Sequence, residues 1–493
     1  MVNLADIIDR DAPADRDAIR FIEASGKTSA LTYAALIEAR NRLAAGLRQT
    51  NARAIGILAD NCTEHVLIYL ATLCTGATSV PLNHKLPAET IAHCLKDAGV
   101  GLTLCSHAQE ALLPDGHKRI VIASPAYDAL FAQNAAPDAA GQSDDDVAVI
   151  MYTSGSTGMP KGVPITHHGY DWAMRQFAFL RPTISGNAVL IAAPLFHMNA
   201  QFHIKSVLMC GGTAVLMERF DAAAFLDAVS QHKAARLTGV PTMFELAVRA
   251  LDAGHSADTS SVVSIGMGSA PVSQALVDRL KAAFPNAAVS NGYGTTEAGP
   301  AIFGPHPGGL PAPDLSIGYP MPGVQLRLVG PHAPDRGTLQ VKSPMTLTGY
   351  LNLPDVTAQK LHDGWYDTGD VMRVDQDGFY LFDSRADDMF VCGGENIYPS
   401  QVEALLTRHT DIEQACVVAL PDPVKGAIPI AFVVGAKGLD TDAVKTFALD
   451  NGPAYAHPRY VAQLDVLPLS GVNKIDRKAL EAEAARRFAG LRG

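Results

Sequence analysis

Between Tyr152 and Gly162 the chain reads Y-T-S-G-S-T-G-M-P-K-G. Thr153, Ser154, Ser156 and Thr157 are interleaved with Gly155 and Gly158, and Lys161 closes the run. Glycines let a backbone turn tightly and bring its N–H groups against a ligand, while hydroxyls and one ammonium add further donors. A loop with so many donors and no acidic residue suits an anion, above all a polyphosphate. It is not a Walker A loop: counting from Gly155, the second glycine would fall at position 160, which is Pro160. A Ser/Gly-rich surface linker shares this composition. The apolar run Val147–Met151 before it, short enough for a buried strand, and Lys161 after it argue for a site.

Four more stretches carry groups that could do chemistry. Asn291–Pro300 reads N-G-Y-G-T-T-E-A-G-P. There Gly292 and Gly294 flank Tyr293 and leave an aromatic face open for a planar ring. Thr295 and Thr296 offer hydroxyls, and Glu297 offers a carboxylate for a divalent cation bridging phosphates. A structural Tyr in a strand-to-helix turn would read the same way. In Y-D-T-G-D (Tyr366–Asp370), Asp370 could accept from a ribose diol if a rigid turn holds it, although such spacing also describes ordinary turns. Arg385 could add a second contact, or form a surface ion pair of little consequence. Cys392–Pro399 (C-G-G-E-N-I-Y-P) is a glycine turn running into a helix. Val472–Leu480 presents Lys474, which by its residues alone is a solvated surface lysine.

The elements that must position these groups alternate. Leu31–Leu47 is helical in spacing, Ala54–Ala59 a strand, Glu64–Cys74 a buried helix, and the β/α alternation runs on to Ser290. Such alternation predicts parallel sheet layered with helices, with ligand loops at the carboxyl ends of the strands. The loops 152–162, 194–201, 268–271 and 291–300 each follow such a strand, so one cleft could collect them. From about Ser316, Gly/Pro-punctuated strands predict a β subdomain, and the last hundred or so residues a compact α+β unit. A chain of 493 residues needs more than one core. The net charge of −11 argues against nucleic acid or an anionic membrane surface as partner. The seven cysteines are scattered, without C-x-x-C spacing, which suggests neither a disulfide framework nor a zinc site and fits a reducing cytoplasm. Val66–Leu82 carries no charge, but Gly76 and Pro81 break it, so no integral membrane segment is expected.

Taken in order, Tyr152–Gly162, Asn291–Pro300, Tyr366–Asp370, Asp383–Pro399 and Asn473–Leu480 resemble the motifs of the adenylate-forming acyl-CoA synthetases, also called AMP-dependent synthetases and ligases. The resemblance spans nearly the whole chain. G-Y-G-T-T-E-A-G-P is most similar to the aryl and coumarate–CoA ligase branch, and P-L-F-H-M-N-A-Q (Pro194–Gln201) also to carnitine-type relatives. It implies an α/β fold: a large N-terminal domain (1–386) of parallel-rich sheets layered with helices plus a β subdomain, and a small α+β domain (387–493) that rotates on a hinge at Asp387. The implied reaction uses ATP, Mg²⁺ and coenzyme A, forming acyl-AMP and then acyl-CoA. Thr153, Ser154, Gly155, Ser156, Thr157, Gly158 and Lys161 would hold the phosphates. Ser269, Ala270, Pro271, Asn291, Gly292, Tyr293, Gly294 and Thr295 would surround the nucleotide base. Thr296 would touch the α-phosphate, Glu297 and Thr157 the Mg²⁺, and Asp370, Phe382 and Arg385 the ribose side. Lys474 would bridge the attacking carboxylate and the α-phosphate. Gly393, Gly394 and Glu395 would lie along the pantetheine path, with His457, Arg459 and Lys425 as candidates for the CoA nucleotide. Asn473 stands where many relatives have glycine.

The acid would lie among Phe196, His197, Met198, Asn199, Met267, Gly268, Gly292, Gly294, Gly299 and Pro300. None of these segments contains Lys or Arg, so an uncharged, roomy acid is expected, most simply an aromatic or phenylpropanoid one. Gly292, Gly294 and Gly299 would leave volume, and His197 would gate the pocket. A fatty or carnitine-type acid and a carrier protein in place of CoA are the alternatives of the same fold. A nucleotide-binding protein without catalysis would be expected to lose Glu297 or Lys474. A homodimer is compatible with the resemblance.

Overall fold

The computed structural model describes residues 3–8, 11–132, 143–153, 159–330, 334–386, 388–470 and 475–488. The alternating apolar runs build two parallel-rich sheets. One is six-stranded, in the order 119–121, 102–105, 54–58, 78–81, 147–153, 161–166. Its strands are parallel except the last, Lys161–Thr166, which folds back antiparallel on Val147–Thr153. The uncharged Val66–Leu82 run resolves into a helix, Thr63–Thr75, and the strand Thr78–Pro81. Gly76 ends the helix in the left-handed region at φ 85°, where a Cβ would be strained. Every residue from His65 to Cys74 is buried, which explains a helix apolar all round.

The second sheet is seven-stranded, in the order 288–292, 264–268, 234–239, 188–191, 213–217, 17–22, 28–32. Side chains alternate across its faces. Leu190, Leu237, Ile265 and Met267 pack into one core with the helices Ala222–His232, Pro241–Asp252 and Gln274–Ala283. Val189 and Ile191 point the other way, into the core shared with the six-stranded sheet and the helix Met198–Met209. By strand pairing, Arg236, Thr238, Ser264, Gly266, Gly268, Ser290 and Gly292 share that second face.

From Ser316 six strands join the short strand Phe303–Gly304 in a seven-stranded antiparallel sheet. The Y-D-T-G-D segment lies inside its strand Trp365–Val374, not on the turn the sequence suggested. Gly369, at φ 71°, and a register shift between Val371 and Met372 kink that strand and turn Asp370 inward. The C-terminal sheet is five-stranded and has an apolar cluster of its own. Arg477 ties the terminal helix into it. Arg477 Nη2 lies 2.7 Å from the buried Glu403 carboxylate, and Nη1 donates to the Val417 carbonyl at 2.8 Å. The large and small parts meet at Asp383. Its carboxylate accepts from Arg336 at 2.8 Å and Arg373 at 3.1 Å, and its carbonyl accepts from the Ser400 hydroxyl. Arg249 and Glu413 form a further bridge at 2.6 Å.

Candidate active site

The donor-rich loop leaves and rejoins the six-stranded sheet as a hairpin. Thr153 pairs with Lys161 across its base. Ser154, Gly155, Ser156, Thr157 and Gly158 lie outside the described residues. At that base Thr153 Oγ1 donates to Glu297 Oε1 at 3.5 Å, and Tyr350 Oη donates to the same oxygen at 3.0 Å. The Lys161 ammonium stands 5.0 Å from the centre of the Tyr350 ring. Two loops from different sheets, 144 residues apart at this contact, thus present one carboxylate, one hydroxyl and one ammonium together. Among the described residues no cluster of three or more His, Cys, Asp or Glu could hold a metal. Glu297 is therefore a lone carboxylate, which suits a Mg²⁺ that keeps its waters and takes its other ligands from phosphates.

Beside it Tyr293 donates its hydroxyl to Asp370 Oδ2, and Arg385 Nη1 donates to Asp370 Oδ1 at 2.9 Å. Asp370 is buried, and strand pairing sets Arg385 opposite it. Burial and the Asp370 charge push the Tyr293 phenol well up, so it remains a donor. The ring packs edge-on against Phe303 at 5.8 Å, so its orientation is fixed at both ends. Phe382 packs part-buried against the same core. Ser269 takes the left-handed conformation at φ 68°, in an exposed turn continued by Ala270 and Pro271.

Some residues of the N-G-Y-G-T-T-E-A-G-P segment serve its own turn. Asn291 Nδ2 donates to the Leu315 carbonyl at 3.3 Å, and Thr295 Oγ1 accepts from the Ala298 N–H at 3.0 Å. Thr296 is half-buried between them and Glu297. Gly294 and Gly299 do not leave pocket volume, which corrects the expectation. A Cβ on Gly294 would lie 2.6 Å from Pro300 Cα, and one on Gly299 2.3 Å from Met345 Sδ. Gly268 and Gly292 approach each other closely, with a Cβ on Gly268 only 2.9 Å from the Gly292 carbonyl oxygen.

At the acyl end, Phe196 is buried, edge-on to His84 at 5.2 Å, and props His197, which caps the helix Met198–Met209. His197 and Met198 are half-buried, and the Asn199 Oδ1 is buried without a hydrogen-bond partner. Asn61 seats this loop: it accepts from the Leu195 N–H at 2.7 Å and donates to the carbonyls of Ala193 and Met217, each at 3.0 Å. Met267 faces the opposite core. The segments expected to line the pocket lack Lys and Arg, yet the strand beneath them supplies Arg236 on the Gly266–Gly268 face. Arg236 is 5% exposed, so a buried cation lies on that face. Sequence periodicity could not say which residue of that strand faced which core.

In the small domain, Gly393 and Gly394 take φ 61° and 91° at the tip of a hairpin, with open space where a Cβ would go, and Glu395 beside them is exposed. The Gly393 N–H donates to the Lys425 carbonyl at 2.9 Å. The Arg459 guanidinium lies 2.7 Å from His457 Nε2, so these two form one cluster. Lys474 and Asp387 lie outside the described residues. Asn61, Tyr350 and Arg236 carried no motif signal. Tyr350 follows only a bare T-G, and Asn61 sits in the common A-D-N-C.

Fold and site together define an α/β nucleotide-activating enzyme in which Thr153, Glu297 and Asp370 are brought together from three different sheets. The AMP-binding enzyme family model matches residues 8–351, and the AMP-binding enzyme C-terminal domain matches residues 401–474. A feruloyl-CoA synthase from an Amycolatopsis species is 35% identical, covering 93% of this chain and 94% of that protein. 4-Coumarate–CoA ligase 2 of Solanum tuberosum is 30% identical, covering 92% and 89%. O-Succinylbenzoate coenzyme A synthetase from Bacillus subtilis, solved with ATP and magnesium ion, superposes with a TM-score of 0.81 at 26% identity, covering 98% and 99%. The chain belongs to the AMP-binding enzyme family. It is an AMP-forming acid–CoA ligase that uses ATP, Mg²⁺ and CoA. No helix among the described residues is long and apolar enough to cross a membrane.

Proposed function

We propose that the acid is an aromatic or phenylpropanoid carboxylate, activated as its acyl-adenylate and passed to CoA in the cytoplasm. Its carboxylate oxygen bonds to the α-phosphorus as pyrophosphate leaves. The CoA sulfur then bonds to the acyl carbon as AMP leaves, and the thiol proton goes to solvent. The contact that carries this reading is Thr153 to Glu297, which sets the phosphate loop against the lone metal-suited carboxylate. Mg²⁺ bound there would neutralise charge on the departing pyrophosphate. Thr153, Lys161 and the loop between them hold its oxygens, Asp370 and Arg385 orient the ribose, and Thr296 and Lys474 lie along the α-phosphate. The aromatic assignment is supported by relatives named for ferulate and coumarate over most of both chains. The buried cysteines and the absence of disulfides among the described residues agree with a reducing compartment.

Two domains, 1–386 and 387–493, hinged at Asp387, complete the proposal. Lys474 serves adenylation and Gly393–Glu395 the thioester step, with His457 and Arg459 toward the CoA nucleotide. The separate C-terminal core and the joint at Asp383 support this division. The test is ATP-dependent pyrophosphate release across benzoic, cinnamic, fatty and short-chain acids. Release led by cinnamates or benzoates is the expected result. Preference for a fatty or short-chain acid contradicts the aromatic assignment.

A further inference from the structure

The face of the second sheet below the nucleotide loops is built from unusually small residues. Gly268 pairs with Gly292, Gly266 with Ser290, and Ser264 with Arg236. Ser290 and Gly292 are exposed on the edge strand and Gly266 is part-exposed, so this face opens to solvent along the sheet edge. At its inner end stands Arg236. Its Nη1 donates to Ser264 Oγ at 2.5 Å, and its Nη2 reaches to 2.8 Å from where a Gly266 Cβ would be. Arg236 Nε is buried without a hydrogen-bond partner, as is Thr238 Oγ1 on the same face. No carboxylate among the described residues pairs with this guanidinium. Buried donors are nearly always satisfied, and a buried cation without a partner is costly, so this cluster is built to meet an acceptor. Burial and the Arg236 cation push the His203 imidazole down to about 3, so it is neutral at pH 7 and adds no second positive charge. Arg236, lowered by burial to about 10, keeps its charge.

We infer that Arg236, with Ser264 and Thr238 beside it, is the specificity-determining floor of the acyl pocket and receives an oxygen acceptor on the far end of the acid. By the rise of a strand, the Gly266 row lies about 7 Å below the Gly268–Gly292 row, room for a ring and its distal substituent. Gly266 admits the guanidinium over its backbone, Gly268 and Gly292 carry no side chain above it, and the unsatisfied donors end that row. The inference rests on the aromatic-acid reading and narrows it to acids with a phenolic, methoxy or carboxylate oxygen remote from the reacting carboxylate. These share one chemistry, an oxygen that accepts from a guanidinium.

The experiment compares cinnamate, 4-hydroxycinnamate, 4-methoxycinnamate and 4-carboxycinnamate by pyrophosphate release in the wild-type chain, Arg236→Met, Arg236→Lys and Gly266→Ala. A hydrogen bond to a charged group predicts that wild type favours at least one oxygen-bearing acid over cinnamate by roughly tenfold or more in kcat/KM, mostly through KM. Arg236→Met abolishes that ratio while cinnamate itself is still turned over, and Arg236→Lys keeps part of it. Gly266→Ala displaces the guanidinium without removing it, and so lowers the ratio even if Arg236→Met folds poorly. Which oxygen-bearing acid leads identifies the natural acceptor. A wild type indifferent to the substituent, or an Arg236→Met that retains the ratio, overturns the inference and leaves the aromatic-acid reading standing. No release from any ring acid overturns both.

Discussion

The end proposed for the nucleotide and the end proposed for the acid handle their polar groups in opposite ways. At the nucleotide end, Glu297 already accepts from Thr153 and Tyr350, and Asp370 from Tyr293 and Arg385. At the acyl end, Asn199 Oδ1, Thr238 Oγ1 and Arg236 Nε are buried with no partner. A preorganised set of paired groups costs little to reorganise when the same ligand binds each time. Unpaired buried groups confer discrimination instead, because a ligand that fails to satisfy them is penalised. On the proposed assignment, the constant substrate meets a finished site, and the variable one meets a site that only the right acid completes.

This contrast sets the order of expected losses. The largest is expected at Lys474, which the proposal assigns to the attacking carboxylate. Lys474→Ala should lower adenylation by about 10²–10³, the usual cost of losing one preorganised charge-stabilising donor. Thioester formation from supplied acyl-AMP should be nearly unchanged. Equal losses in both half-reactions would detach Lys474 from adenylation. Asp370→Ala comes next. It strips Tyr293 and Arg385 of their shared partner, and hydrogen bonds to a charged group predict roughly a 10–100-fold loss in kcat/KM for ATP. The ratio between two acids should not move; a changed ratio would mean that the ends are coupled rather than separate.

Asn61→Ala should act on the acyl end alone. It leaves the Leu195 N–H and the carbonyls of Ala193 and Met217 without their side-chain partner. A loss of about 2–4 kcal/mol in stability is expected for such buried groups, with a raised KM for the acid and an unchanged KM for ATP. A thermal melt and paired titrations check it, and a change in the KM for ATP would counter the assignment. The smallest effect belongs to Arg249→Ala. Its bridge to Glu413 is part-exposed, and Glu245, its other partner, keeps Arg279, so about 0.5 kcal/mol or less is expected in a melt and little change in turnover.

How far the sequence could be read follows the same division. Thr153, Glu297, Asp370 and Arg385 stand in motifs that resemble the family's, and the structure brings Thr153 to Glu297 and Arg385 to Asp370. The two parallel-rich sheets were legible from apolar runs alternating with helical spacing. The acyl end was not. Its proposed floor depends on which side of a strand Arg236 faces, and A-A-R-L-T-G alternates too weakly to say. Gly294 and Gly299 misled because a glycine that leaves room and one that allows close approach look alike until Pro300 and Met345 are in place. Tyr350 and Asn61 act through contacts more than fifty residues away, which no local pattern records.

The central claim is two-step ligation of an aromatic acid. Mass spectrometry of the wild-type chain with 4-hydroxycinnamate, ATP and Mg²⁺, before and after CoA is added, tests it directly. The account predicts enzyme-bound acyl-adenylate with pyrophosphate in the first sample, and its replacement by the aryl-CoA thioester with AMP in the second. Adenylate that persists after CoA is added, or no adenylate at all from any aromatic acid, would contradict it.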